Sequence, residues 1–354
     1  MYQYNDIRQI HLEVTQNCQA SCPMCDRNQN GGALNPHINL DELNLKDCYK
    51  IFEPEFIQQL DTMYMCGNLG DPILAPDTIP IFDYFRDNNE SMWLSMNTNG
   101  GARDVEWWKE LARVLRKPAA VIFSVDGLRD TNHLYRQGVV WDNVEQNMRA
   151  FIEAGGRARW DYLIFEHNQH QLEEARALAE AWGVEKFVAK KTSRFTTTKV
   201  LPKENHQAVN RKGEKTQELK KPKEEYQNSA VKKLPDLMKK YGNLENYANQ
   251  VPIQCRVQGD KSLFVSAEGL LLPCCWTAGR MYKWWLENPY TEPIWQYINR
   301  AGGKDRINAK KVGMKAVFET GIFDEIEKSF TRNRMNVCAM KCGTEFNPIE
   351  SQYE

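Results

Sequence analysis

An apolar run with strand character recurs six times between Ile7 and about residue 192, and after each of the first five come a loop and apolar residues at helical spacing. The strand-like runs are Ile7–Val14, Asp61–Cys66, Ser91–Met96, Ala119–Val125, Ala158–Phe165 and Lys186–Lys190. Between them the helical period runs through Asp41–Phe52, with Asp41 as its cap, then Ile79–Asn88, Asp104–Leu115, Trp141–Ala154 and Gln171–Trp182. Strands separated by helices return to the same end of the sheet, so six β–α repeats predict an α/β fold with a parallel sheet and right-handed crossovers. Folds of this kind gather their chemistry at the C-terminal ends of the strands.

The distinctive residues all fall there. After the first strand comes Cys18-Gln-Ala-Ser-Cys22-Pro-Met-Cys25. Three thiols at Cys-x3-Cys-x2-Cys spacing can reach three corners of one iron–sulfur cube, for which a full thiolate set would be four, so one iron stays open to an exogenous ligand. A zinc knuckle would need a fourth ligand, and the nearest, His11, lies within the strand. A disulfide framework is disfavoured because nothing at the N-terminus looks secretory. The second strand leads into Met65-Cys66-Gly67-Asn68-Leu69-Gly70-Asp71-Pro72, where glycines let backbone approach a ligand closely. The third ends in Asn97-Thr98-Asn99-Gly100, and the fourth in Ser124-Val125-Asp126-Gly127 followed by Asp130, His133, Arg136 and Gly138. Asn168 stands just past the fifth.

The cysteine spacing resembles the defining motif of the radical S-adenosylmethionine (SAM) enzymes, and the later loops resemble that superfamily's SPASM/twitch subgroup. The resemblance implies a partial (β/α)6 TIM-like barrel. Cys18, Cys22 and Cys25 would carry a catalytic [4Fe-4S] cluster whose open iron binds S-adenosyl-L-methionine, releasing a 5′-deoxyadenosyl radical that abstracts a substrate hydrogen atom. It further assigns SAM contacts to Met24, Gly67, Gly70, Asp71, Asn97, Asn99, Ser124, Asp126, Arg136 and Asn168. Relatives usually have Glu at the position of Asp71, which is a shorter carboxylate. The expected electron donor is a reductant such as flavodoxin or ferredoxin.

From about Thr196 to Gln250 the periodicity fades, lysines crowd the chain, and Pro202, Pro222 and Pro235 interrupt helices. This segment, 196–250, reads as a solvated connection with short helices or as a lid over the barrel mouth that attracts anions. The remainder, 251–354, begins with Cys255, then two apolar runs around Ala267-Glu268-Gly269, predicting a β-hairpin that ends at Cys274-Cys275. Cys338 and Cys342 follow near the end. The pattern is similar to the opening of a twitch domain, which implies a second, auxiliary [4Fe-4S] cluster on Cys255, Cys274, Cys338 and Cys342. Cys275 is a spare that could replace Cys274, and a structural zinc on four cysteines remains the alternative. Cys48 and Cys66 read as small apolar core residues.

The 354 residues are 42% hydrophobic, enough for a substantial core and about two domains. A formal net charge of −1 argues against a globally basic nucleic-acid binder. No apolar run reaches the roughly 18 residues needed to cross a bilayer, and no charged leader opens the chain, so ten cysteines point to a cytoplasmic, thiol-keeping protein. The resemblance to twitch relatives whose auxiliary cluster is saturated by four thiolates implies net oxidation of a small molecule, and the short lead before the first strand makes peptide modification the alternative. A non-enzymatic iron–sulfur or zinc protein would account for the cysteines but not for the loops.

Overall fold

The computed structural model describes residues 1–195 and 204–353. Six parallel strands form in the predicted order: β1 (Gln9–Leu12), β2 (Thr62–Met65), β3 (Trp93–Thr98), β4 (Ala119–Ser124), β5 (Ala158–Ile164) and β6 (Lys186–Lys191). An antiparallel hairpin of β7 (Asn205–Val209) and β8 (Lys215–Lys220) follows. The last two strands are β9 (Ser262–Val265) and β10 (Leu271–Leu272).

The crossover helices lie where the apolar spacing puts them, at Thr78–Asn88, Val105–Leu115, Trp141–Glu153 and Leu172–Ala181. The first begins later than predicted. Leu45–Ile51 is capped by Asn44, whose side chain accepts from the Asp47 N–H while Asp47 answers the Asn44 N–H, a reciprocal box that Asp41 cannot form from its place upstream.

Alternation along the strands separates two faces. Ile10, Leu12, Met63, Met65, Leu94, Met96, Val121, Phe123, Trp160 and Tyr162 are fully buried beneath the helices. The other face carries His11, Tyr64, Asn97, Ser124, Arg159, Asp161 and Lys190, several of them half-buried. The apolar layer binds the helices, and the polar face lines the lumen of the open barrel.

Two features depart from the sequence reading. The tail's hairpin does not stand apart: β9 pairs in parallel with β1, Gln9 against Ser262 through Leu12 against Val265, so β10 and β9 extend the sheet to eight strands. β1 had a free edge, and the all-buried run Ser262–Val265 satisfies it. The lysine-rich segment, expected as a connection with short helices or as a lid, carries the β7–β8 hairpin among its described residues, followed by helices at Ser229–Lys232, Leu234–Tyr241 and Leu244–Gln250. Its first residues, with Lys199 and Lys203, lie outside the described residues.

Candidate active site

The cysteine loop leaves β1 through Glu13 and Thr15 and crosses the mouth of the lumen. Its three thiols are each reached from a different strand end. Asn99, after β3, points Nδ2 at Cys18 Sγ, 3.8 Å away. Arg136, in the loop after β4, places Nη1 3.9 Å from Cys22 Sγ. The Cys25 thiol faces the Asn68 carbonyl after β2, at 3.9 Å. Burial pushes the Cys18 and Cys22 thiols up and takes Cys25 to about 11. Each is therefore neutral until a metal draws off its proton.

The loop after β2 explains its glycines. A Cβ on Gly70 would stand 2.0 Å from the Thr15 carbonyl oxygen, and one on Gly67 2.3 Å from the Gly70 oxygen. A side chain at Gly70 would force the loops of β1 and β2 apart, and one at Gly67 would break the tight turn of the β2 loop on itself. Asp71, buried, takes the Asn99 backbone N–H and side-chain amide on one oxygen and the Ile73 N–H on the other. Asn99 is in turn fixed by Gln19 Nε2 at 2.6 Å.

Arg136 Nε donates to Asp126 at 2.7 Å, and Asp126 also accepts the Leu163 N–H at 2.6 Å. Asn168 is wholly buried: its amide donates to the carbonyls of Asp126 and Leu163 and its oxygen accepts from Phe165. It shapes the loop and presents no polar atom to the lumen. Asn97 and Ser124 are half-buried on the lumen face, and among the described residues their side chains make no hydrogen bond. Met24 lies half-buried in the cysteine loop, its carbonyl held by Arg194 Nη1 at 2.9 Å.

Three residues that the sequence reading passed over complete the site. Glu13, buried, accepts the Leu69 N–H at 2.7 Å, and burial raises its carboxyl to about 7. The signal was its inward register two residues past His11, a carboxylate inside a strand-like run. His11 itself is no ligand here: it stacks on Tyr64 at 4.5 Å, bonds the Cys66 carbonyl, and burial lowers it to about 4. Arg211 and His206, on the β7–β8 hairpin, bond the carbonyls of Gln19 and Pro23, each at 3.0 Å, so that hairpin lies across the cysteine loop. Nothing in the sequence pairs those positions, because the contact is between distant backbones.

In the tail, Cys255, Cys274, Cys338 and Cys342 line one cavity, roofed by Trp276 and Phe330. Cys342 is held below the ordinary thiol value by the hydrogen bond from Cys255, which is itself driven up. Cys275 does not line that cavity, and its carbonyl accepts the Asn68 side-chain amide at 2.8 Å. A single zinc ion draws its sulfurs to about 2.3 Å of one point. Among the described residues no three His, Cys, Asp or Glu side chains converge in that way. The four thiols line the same cavity.

No protein-family model matches the chain, and no curated protein matches it. Solved structures do. Streptococcus suis SuiB bound to S-adenosylmethionine aligns with a TM-score of 0.50 at 15% identity, covering 77% of this chain and 61% of that one. The chain thus spans less than two thirds of SuiB's length. The structure titled native anSMEcpe with bound AdoMet and Kp18Cys peptide aligns with a TM-score of 0.53 at 14% identity, over 98% of this chain and 94% of that one. These neighbours are radical SAM enzymes, and the fold of this chain is theirs.

Proposed function

We propose that this chain is a radical SAM enzyme with a second iron–sulfur centre, acting on a substrate held in the barrel lumen. The observation that carries this reading is the convergence of three separate loops on three thiols: Asn99 on Cys18, Arg136 on Cys22 and Asn68 on Cys25. Cys18, Cys22 and Cys25 would hold the catalytic [4Fe-4S] cluster, which when bound supplies the electron that splits SAM.

The chain's own residues do the rest. Gly67 and Gly70 bring backbone close to the SAM site, and Asp71 fixes the shape of that loop through Asn99. Arg136 is anchored through Nε by Asp126 and reaches Cys22 with Nη1, which leaves Nη2 to meet a carboxylate. Asn97 and Ser124 offer uncommitted polar groups on the lumen face. The β7–β8 hairpin, bonded across the cysteine loop, excludes water from the reacting centre.

Cys255, Cys274, Cys338 and Cys342 would hold the auxiliary cluster. With four protein thiolates no iron is left for substrate, which suits electron uptake and a net oxidation. Modification of a peptide is a second reading, favoured by neighbours of the same fold solved with the precursor peptide SuiA and the Kp18Cys peptide.

The test is anaerobic reconstitution followed by an assay for 5′-deoxyadenosine from SAM and dithionite. Formation of 5′-deoxyadenosine that disappears when Cys18, Cys22 and Cys25 are changed to Ala together supports the reading. A reconstituted protein that never cleaves SAM refutes it.

A further inference from the structure

The lumen holds a charge cluster that the SAM site does not use. Trp160 and Tyr162 are fully buried on the helix side of β5, so Arg159 and Asp161 face inward. Phe187 packs against both aromatic rings from β6, which turns Lys190 inward as well. Asp161 lies in register with Ser124, and Arg159 with Ile122, itself in register with Asn97. The cluster therefore continues the same inner surface as the two uncommitted polar groups.

Asp161 gives one oxygen to Arg159 Nε and the other to Lys190 Nζ, the second at 2.9 Å. Its side chain is 5% exposed, against 29% for Arg159 and 20% for Lys190. Among the described residues two cations thus share one carboxylate, leaving one positive charge in a half-buried lumen. Asp126 cannot balance it, because Arg136 occupies that carboxylate. A guanidinium has five N–H donors and an ammonium three. Among the described residues each cation donates only one side-chain hydrogen bond to the protein. The Tyr353 ring stands 5.9 Å from the Arg159 guanidinium and 5.3 Å from the Lys190 ammonium, walling the cluster on one side.

Resting on the function proposed above, we propose that Arg159 and Lys190 form the anion-recognising end of the substrate site, and that the substrate carries a carboxylate. The spare fork of Arg159 matches a carboxylate in two parallel bonds. A single surplus charge matches a monoanion, whereas a phosphomonoester brings about −1.5 to −2. The carboxylate is either that of a free acid or an acidic side chain in a peptide. Both have the same chemistry at this end.

The test uses the reconstituted protein with SAM bound, and ligand-observed NMR with two probe pairs. One pair is N-acetylglycine and N-acetylglycinamide; the other is acetyl-Ala-Glu-Ala-amide and acetyl-Ala-Gln-Ala-amide. At least one carboxylate probe should bind about tenfold or more tightly than its amide, equivalent to about 1.4 kcal/mol, and the pair that discriminates identifies the source. Arg159→Gln and Lys190→Gln should each erase that preference, and Lys190→Arg should keep it. Each single change leaves Asp161 one cation, and circular dichroism checks that the variants fold. Equal binding of acid and amide, tighter binding of inorganic phosphate, or a preference that survives both Gln changes overturns the inference. If SAM is cleaved and the preference is absent, this inference alone fails. If SAM is never cleaved, the function proposed above fails.

Discussion

Asn99 grips one oxygen of Asp71 twice, with its backbone N–H at 2.8 Å and its side-chain amide at 2.6 Å. The bond ties the loop after β2 to the loop after β3, and the same amide reaches Cys18. Asp71 is consumed in holding the site's shape, which a carboxylate one methylene shorter than Glu can do without reaching further. Asn99→Ala removes two donors, one to the buried carboxylate and one to the thiol, and a hydrogen bond to a charged group contributes about 1.5–3 kcal/mol. The variant should therefore bind SAM about tenfold or more weakly while keeping its fold. Equilibrium dialysis against SAM measures the first and circular dichroism the second.

Arg136 and Asp126 form the other clasp. Asp126 is almost wholly buried, and its partner is 20% exposed. Asp126→Asn keeps the acceptor for the Leu163 N–H but leaves the guanidinium without its counter-ion. Removing one partner of a buried pair costs about 3–5 kcal/mol. The expected result is a lower unfolding temperature together with reduced iron content, since Arg136 would no longer be fixed beside Cys22. Iron analysis after reconstitution, compared with Arg136→Lys, separates the loss of the fork from the loss of the charge.

The fold was legible because its signal is periodic. Apolar alternation and helical spacing placed six strands and their crossovers to within a few residues, since each element buries one face of its own sequence. The loops were legible as polar and glycine-rich punctuation at strand ends. Long-range pairing was not. Nothing local in Ser262–Val265 says that it will lie beside Gln9–Leu12, and nothing in Arg211 or His206 says that they will bond the backbone of Gln19 and Pro23. Asn168 illustrates the same limit: its position past β5 does not announce that its side chain will bond Phe165, Leu163 and, across the sheet, the Asp126 carbonyl after β4.

Glu13 gives the protein a pH signature. Desolvation lifts its folded value to about 7 from an ordinary 4.5, despite the opposing N–H bond from Leu69. Between those values the folded state holds a proton that the unfolded chain has released, so this group's contribution to stability falls as pH rises and is flat above about 7. His11, lowered to about 4 by burial, acts in the opposite sense as pH falls from 6.5. Comparing wild type with Glu13→Gln cancels the histidine. The stability difference between the two should shift by about 3 kcal/mol in favour of the variant from pH 4.5 to pH 8. Parallel denaturant titrations read this shift, and a constant difference across the range would contradict a buried proton on Glu13.

The tail offers the sharpest test among neighbouring cysteines. Cys274 lines the cavity with Cys255, Cys338 and Cys342, whereas Cys275, the next residue, does not. A strand-like backbone at Cys274 sends adjacent side chains to opposite sides, and that geometry decides which thiol joins the set. Cys274→Ala should lose the auxiliary irons while keeping those of the first cluster, a fall of about half in iron per chain. Cys275→Ala should keep both sets, because it removes a half-buried thiol with no place in the cavity. If the auxiliary cluster takes an electron from the substrate radical, Cys338→Ala with Cys342→Ala should still cleave SAM but no longer couple it to product. Full product from that double variant, with only the auxiliary irons gone, would make the tail a structural clasp. The sheet pairing of β9 with β1 would then be its main contribution, and the reaction need not be an oxidation.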